Sequence, residues 1–321
     1  MNQEAFFSSP LLSSLAVFGG LILLVGGGET LVSGATSLAR RWGMSPLVIG
    51  LTIVAFGTSV PELFVSLTAS LQNHPDIMIG NVVGSNIANI GLILGISGLI
   101  MPLKLPLREV WTELLLVVGG SVILMFATAY GHFPRSLGLL FTLALVSYTL
   151  LIYRNHLGGN GKKETRNTAN ADHPTSLLRP LILIGTGLVL LAGGSNLFIN
   201  GAVDLARYFG VSELIIGLTM AAIGTSLPEL ASSISALRRN ESGLLIGNVI
   251  GSNMFNLFMV LGLTGLIKPF QLSTDLLQRD LPVMFAFTVI LIPILHKYNG
   301  TNRWHGLLFF LSYVLYCATL F

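Results

Sequence analysis

The chain has 321 residues, of which 52% are hydrophobic and only 10% charged, with a formal net charge of +3 and a mean hydropathy of +0.78. Soluble domains carry about 25% charged residues, so this composition excludes an ordinary soluble protein and places the chain among polytopic membrane proteins. Its Lys and Arg residues gather into no patch, which argues against nucleic acid as a partner, and the single cysteine, Cys317, excludes a disulfide framework or a cysteine metal site.

In chain order, apolar stretches long enough to cross a bilayer, about 17 to 25 residues each, lie near 11–38, 46–71, 77–100, 110–130 and 134–153, then 177–206, 212–237, 243–267, 279–296 and 304–321. They predict an all-α membrane protein of about ten transmembrane helices. Met1 to Pro10 lacks Lys and Arg and the first apolar run outlasts a signal-peptide core, so that segment is expected to be a retained helix. Between the fifth and sixth stretches, Arg154 to Ser176 is rich in Gly, Asn, Lys and Thr without apolar periodicity, which reads as a linker. The predicted organisation is therefore a five-helix unit over 1–153, a linker over 154–176, and a second five-helix unit over 177–321. With the N-terminus outside, 13 of the 17 Lys and Arg residues fall in cytoplasmic connections, a positive-inside bias. Both termini are accordingly expected to be extracytoplasmic and the linker cytoplasmic.

The two units are copies of each other. GLTIVAFGTSVPEL at Gly50–Leu63 returns as GLTMAAIGTSLPEL at Gly217–Leu230, and GNVVGSNIANIGLILG at Gly80–Gly95 returns as GNVIGSNMFNLFMVLG at Gly247–Gly262, each 167 positions later. Five helices per copy is an odd number, so the second copy enters the membrane in the opposite sense, and two inverted repeats are predicted to enclose one shared site. Glycines recur at four-residue spacing in Gly80/Gly84, Gly247/Gly251 and Gly91/Gly95, which suits close helix packing in lipid.

Within the second stretch, Ala55, Thr58, Ser59, Glu62 and Ser66 share one helical stripe, and Ala222, Thr225, Ser226, Glu229 and Ser233 repeat it in the seventh. A lone carboxylate at mid-membrane costs at least about 2.5 to 3.5 kcal/mol, so Glu62 and Glu229 call for a cation or a proton. Pro61 and Pro228 lack an N–H, which deprives the carbonyls of Gly57 and Gly224 of a helical partner and points freed oxygens toward that cation. Ser85 and Asn89, with Asn81 one turn earlier, lie on the third stretch, and Ser252, Asn256 and Asn248 repeat them on the eighth. An all-oxygen set of carboxylates, hydroxyls, amides and carbonyls suits hard cations such as Ca2+ and Na+ rather than Zn2+ or copper. Elsewhere, Glu29 is a candidate for the ion pathway, and Asp204 is expected to pair with Arg207 three residues on. No HExxH or comparable cluster suggests an intramembrane enzyme. A passive channel built of carboxylates and carbonyls is the alternative from another class, against which the inverted repeats favour a carrier.

The doubled GTSxPEL and GNxxGSNxxN motifs resemble the alpha repeats of the cation/calcium antiporter superfamily, in the form found in its prokaryotic sodium/calcium exchanger branch. The resemblance covers nearly the whole chain and implies exchange of Na+ for Ca2+ by alternating access. It implies that Glu62 and Glu229 are the central Ca2+ ligands, shared with Na+, and that backbone oxygens of Thr58 and Thr225 complete the shell. Carbonyls of Ala55 and Ala222 with Ser59, Ser226, Ser85, Ser252 and the threonine hydroxyls would form flanking Na+ sites, and Asn89 and Asn256 would line the centre. It also implies three Na+ per Ca2+, no resident cofactor, a lipid bilayer as surroundings, and location in a prokaryotic inner membrane. Potassium-dependent relatives carry Asp at the position of Asn256, and proton-coupled ones show GNAxE in place of GTSxPE, so both couplings are disfavoured, with H+/Ca2+ antiport as the alternative.

Overall fold

The side chain of Ser9 accepts the Leu12 N–H, and Pro10 fills the next position, where a helix needs no N–H. From there α1 runs over Pro10–Trp42 until Gly43 closes it in the left-handed region (φ 64°). The computed structural model describes residues 6–7, 9–157, 177–210 and 224–320. After α1 come α2 (Pro46–Leu71), α3 (Pro75–Ile100), α4 (Trp111–Ala129), α5 (Arg135–Leu157), α6 (Leu178–Tyr208), α7 (Leu227–Arg238), α8 (Ser242–Ile267), α9 (Asp280–Tyr298) and α10 (Arg303–Ala318). Three of them are irregular, with π-helical turns at Gly50–Val54 in α2, Asn89–Leu94 in α3 and Asn256–Leu261 in α8. Among the described residues, 8 helical stretches are long and apolar enough to cross a membrane, and the chain is a multi-pass membrane protein. Of the remaining expected spans, α10 has 16 residues. The one over 212–237 is described only from Gly224 onward.

Glycine lets the helices approach to backbone contact. A Cβ on Gly20 of α1 would lie 2.6 Å from the Phe198 nitrogen of α6, and one on Gly34 would lie 2.9 Å from the Ile184 nitrogen. The contacts run in opposite order along the two chains, so α1 and α6 are antiparallel partners over most of their length. Between α2 and α8 the order is the same: Gly243 meets the Leu47 nitrogen at 3.4 Å and Gly251 meets the Leu51 carbonyl at 2.8 Å, again measured from the Cβ each lacks. Of the glycines singled out by spacing, Gly247, Gly251 and Gly95 pack in this way, Gly91 packs against the Tyr313 side chain, and Gly80 has nothing within 4 Å.

Two short antiparallel ribbons interlock the repeats. Leu103–Lys104 (β1) pairs with Gly300–Thr301 (β4), and His132–Phe133 (β2) pairs with Phe270–Gln271 (β3). Each ribbon takes one strand from each half of the chain. The outer faces of α1, α5, α6 and α10 expose Leu, Ile, Val and Phe side chains, as a lipid-facing surface does, while α8 is buried throughout residues 244–262. The buried polar groups concentrate around that enclosed helix.

Candidate cation-binding centre

The α2 helix breaks at Ser59 (φ −83°, ψ −1°), the C-cap of Ala55–Thr58, and restarts at Val60 with Pro61 in its first turn. Ser226 (φ −86°, ψ 3°) stands in the same place before Leu227 and Pro228 of α7. Proline cannot supply the N–H that would carry the helix through, which is the local cause of the break in α2, and Pro228 likewise stands in the first turn of α7. Each of these two helix starts places a glutamate, Glu62 or Glu229, in its first turn, where the positive end of the helix dipole favours negative charge. Both residues are 0% exposed, and none of their carboxylate oxygens has a hydrogen-bond partner among the described residues. Buried like charges without donors are unfavourable by several kcal/mol, and a bound cation removes that cost.

The other expected residues gather around this pair. Asn81 of α3 donates to the Glu62 carbonyl (3.2 Å) and to Ser66 Oγ (2.9 Å), while its Oδ1 accepts the Thr225 hydroxyl (2.9 Å). Asn248 of α8 repeats each of these roles: it donates to the Glu229 carbonyl (3.5 Å), Ser232 Oγ (3.1 Å) and Ser233 Oγ (3.3 Å), and accepts the Thr58 hydroxyl (3.2 Å). Ser85 lies 3.3 Å from Thr225 and Ser252 lies 3.4 Å from Thr58, hydroxyl to hydroxyl. Thr58 and Thr225 are thus each held by an Asn and a Ser of the opposite repeat. The hydroxyls of Ser59 and Ser226, Oδ1 of Asn89 and both amide atoms of Asn256 are buried without partners among the described residues. Together with the carboxylates they offer a cation hydroxyl, amide and carboxylate oxygens from both halves. Carboxylate, hydroxyl and amide oxygens are the donors that suit a hard cation.

Ala55 sits fully buried beside the break, its carbonyl accepting the Ser59 N–H at 3.0 Å and the Thr58 hydroxyl at 3.4 Å. Ala222 lies outside the described residues. The expectation that the Gly224 carbonyl is left open is corrected: the Ser195 hydroxyl of α6 donates to it at 2.9 Å. The residue equivalent to Ser195 in the first half is Gly28, which has no hydroxyl to give Gly57. Glu29 is paired away from the centre, with Arg239 at 2.8 Å and Arg238 at 3.4 Å. Asp204 pairs with Arg207 at 3.6 Å as the spacing suggests, and additionally accepts the backbone N–H groups of Phe6 and Phe7.

Sequence reasoning placed Asn81 and Asn248 on the right face and counted their amides in the oxygen set, without assigning either a specific ligand role. Their signal was available, since each is the first asparagine of a GNxxGSN motif present in both copies. A second symmetric pair escaped it altogether. Tyr148 donates to Glu113 at 2.5 Å and Tyr316 donates to Asp280 at 2.9 Å, tying α4 to α5 and α9 to α10. The duplication therefore extends past the motifs into the last two helices of each half.

Known proteins resemble this chain over nearly its whole length. A family model described as sodium/calcium exchanger protein matches residues 12–154 and again residues 179–321. The inner membrane protein YrbG of Escherichia coli is 36% identical over 286 residues, 87% of this chain and 87% of that protein. The sodium/calcium exchanger MaX1 of Methanosarcina acetivorans is 33% identical, covering 94% of this chain and 96% of its own length. Among solved structures, the sodium-calcium exchanger NCX_Mj superposes with a TM-score of 0.82 at 32% identity, covering 97% of this chain and 99% of that one.

Proposed function

The chain belongs to the sodium/calcium exchanger protein family, and we propose that it exchanges Na+ for Ca2+ at the centre formed by Glu62 and Glu229. The observation that carries this reading is the pair of fully buried, unpartnered carboxylates at equivalent positions of two repeats, ringed by neutral oxygen donors from both halves. Two glutamates balance one Ca2+. Three Na+ in the same place leave one positive charge in excess, so an inside-negative potential favours sodium entry by about 2.3 kcal/mol per charge per 100 mV. Ca2+ is then expelled and the exchange is electrogenic.

Alternating access follows from ten spans in two inverted repeats. The antiparallel course of α1 and α6, and the strand pairs that the expected topology puts at opposite faces, support that inversion. Orientation with both termini outside is supported by the distribution of Lys and Arg, and residence in an inner membrane by the likeness to YrbG. Proton coupling is the competing reading, since a Ca(2+)/H(+) antiporter, ChaA of Bacillus subtilis, is 23% identical over 84% of this chain. The test is Ca2+ binding to the purified protein. Na+ is expected to compete with Ca2+ steeply, with more than one ion displacing each Ca2+, and Glu62→Gln to abolish both. Ca2+ binding indifferent to Na+ at constant pH would overturn the sodium assignment.

A further inference from the structure

Asn89 and Asn256 serve the proposed exchange only if their amides present oxygen to the ion. A carboxamide offers C=O at one end and NH2 at the other in nearly the same shape, and only the oxygen attracts a cation. Both residues sit where a regular helix passes into a π-helical turn, Asn89 after Pro75–Ala88 and Asn256 after Ser242–Phe255. The Asn89 Nδ2 donates to the Asn253 Oδ1 of the other repeat at 2.9 Å, with both residues buried. That bond leaves the Asn89 Oδ1 as the free end, buried and without a partner among the described residues.

Asn86 is the residue equivalent to Asn253, and the π-turn of α8 packs against α3. The Asn86 Nδ2 is committed to the Val82 carbonyl of its own helix at 2.7 Å, so its Oδ1 is the end left to accept. That oxygen and both amide atoms of Asn256 are buried without partners among the described residues. We propose that Asn86 and Asn253 are positioning residues: each accepts the side-chain N–H of the site asparagine from the opposite repeat, Asn253 for Asn89 and Asn86 for Asn256, and thereby turns an amide oxygen toward the ion. One link is formed in this structure, and the atoms for the second are free. The inference rests on the Glu62–Glu229 centre being the cation site, and it gives the last asparagine of each GSN triplet a role distinct from ligation.

The experiment is Ca2+ binding to the purified full-length protein as wild type, Asn89→Ala, Asn253→Ala and the double variant. Asn253→Ala should weaken Ca2+ binding about tenfold or more, the usual effect of removing a group that orients a metal ligand. In the Asn89→Ala background it should cost nothing further, because its effect passes through Asn89. Asn253→Leu, similar in shape but without an acceptor, repeats the measurement should the alanine variant not fold. Unchanged affinity in Asn253→Ala, or a loss that simply adds to that of Asn89→Ala as general loosening would produce, overturns the positioning role while leaving the exchanger reading intact. A wild-type protein that binds no Ca2+ overturns both.

Discussion

A glutamate at the middle of a membrane protein persists only where something offsets its charge, and Glu62 and Glu229 have neither a basic partner nor a hydrogen-bond donor among the described residues. Each is expected to be indispensable. Glu62→Gln and Glu229→Gln should each abolish Ca2+ transport while the protein still purifies as a single folded species, and near-normal flux in either would contradict the assignment. The same charge argument fixes the direction of the pH response. The ionised pair attracts Ca2+, so protonation removes the attraction and Ca2+ transport should fall as pH drops through the titration of the pair, which belongs to both residues jointly. Initial rates over a pH series at constant Na+ and Ca2+ would check this, and a rate that climbs on acidification would count against it. Asn256, neutral and buried, is the expected site residue at which to alter the charge. Asn256→Asp should shift the balance between Na+ and Ca2+ occupancy, read as a changed ratio of their apparent affinities.

At the scale of elements, the sequence was most legible where covalent chemistry leaves no choice. Pro61 and Pro228 lack a donor whatever surrounds them, and the break in α2 and the start of α7 fall beside them. The stripe of Thr58, Ser59 and Glu62 and its copy were equally readable, because spacing alone decides which residues share a helix face. The π-helical turns at Asn89 and Asn256 and the capture of the Gly224 carbonyl by Ser195 were not, since both depend on what packs opposite. Gly80 and Gly247 make the point from one motif. They occupy the same position in the two copies, yet a Cβ at Gly247 would meet the Leu47 carbonyl at 2.4 Å and one at Gly80 would meet nothing within 4 Å. Gly247→Val should therefore lower the melting temperature of the purified protein, with overpacking costing about 1 to 3 kcal/mol. Gly80→Ala should leave it nearly unchanged, and equal shifts in the two variants would contradict the packing described here.

For the whole molecule, duplication was visible from the repeated motifs, and the structure carries it further, into the paired carboxylate and phenol groups of Glu113–Tyr148 and Asp280–Tyr316 and into both ribbons. Those features are nearly invisible in sequence because Glu against Asp, or two-residue strands in connecting loops, leave no shared motif. The distribution of basic residues predicts sidedness. A cysteine introduced at Asn170 in a Cys317→Ala background should be protected from impermeant label in intact cells, and one at Phe321 should react. The reverse pattern would overturn the predicted sidedness, and both positions on one side would overturn the inverted arrangement. The central claim concerns the driving ion, and flux measures it directly. In proteoliposomes loaded with Na+ and diluted into Na+-free, K+-free buffer, the outward Na+ gradient should drive Ca2+ uptake, and Glu62→Gln should eliminate it. Robust Ca2+ uptake driven by a proton gradient alone, with no Na+ on either side, would contradict the account.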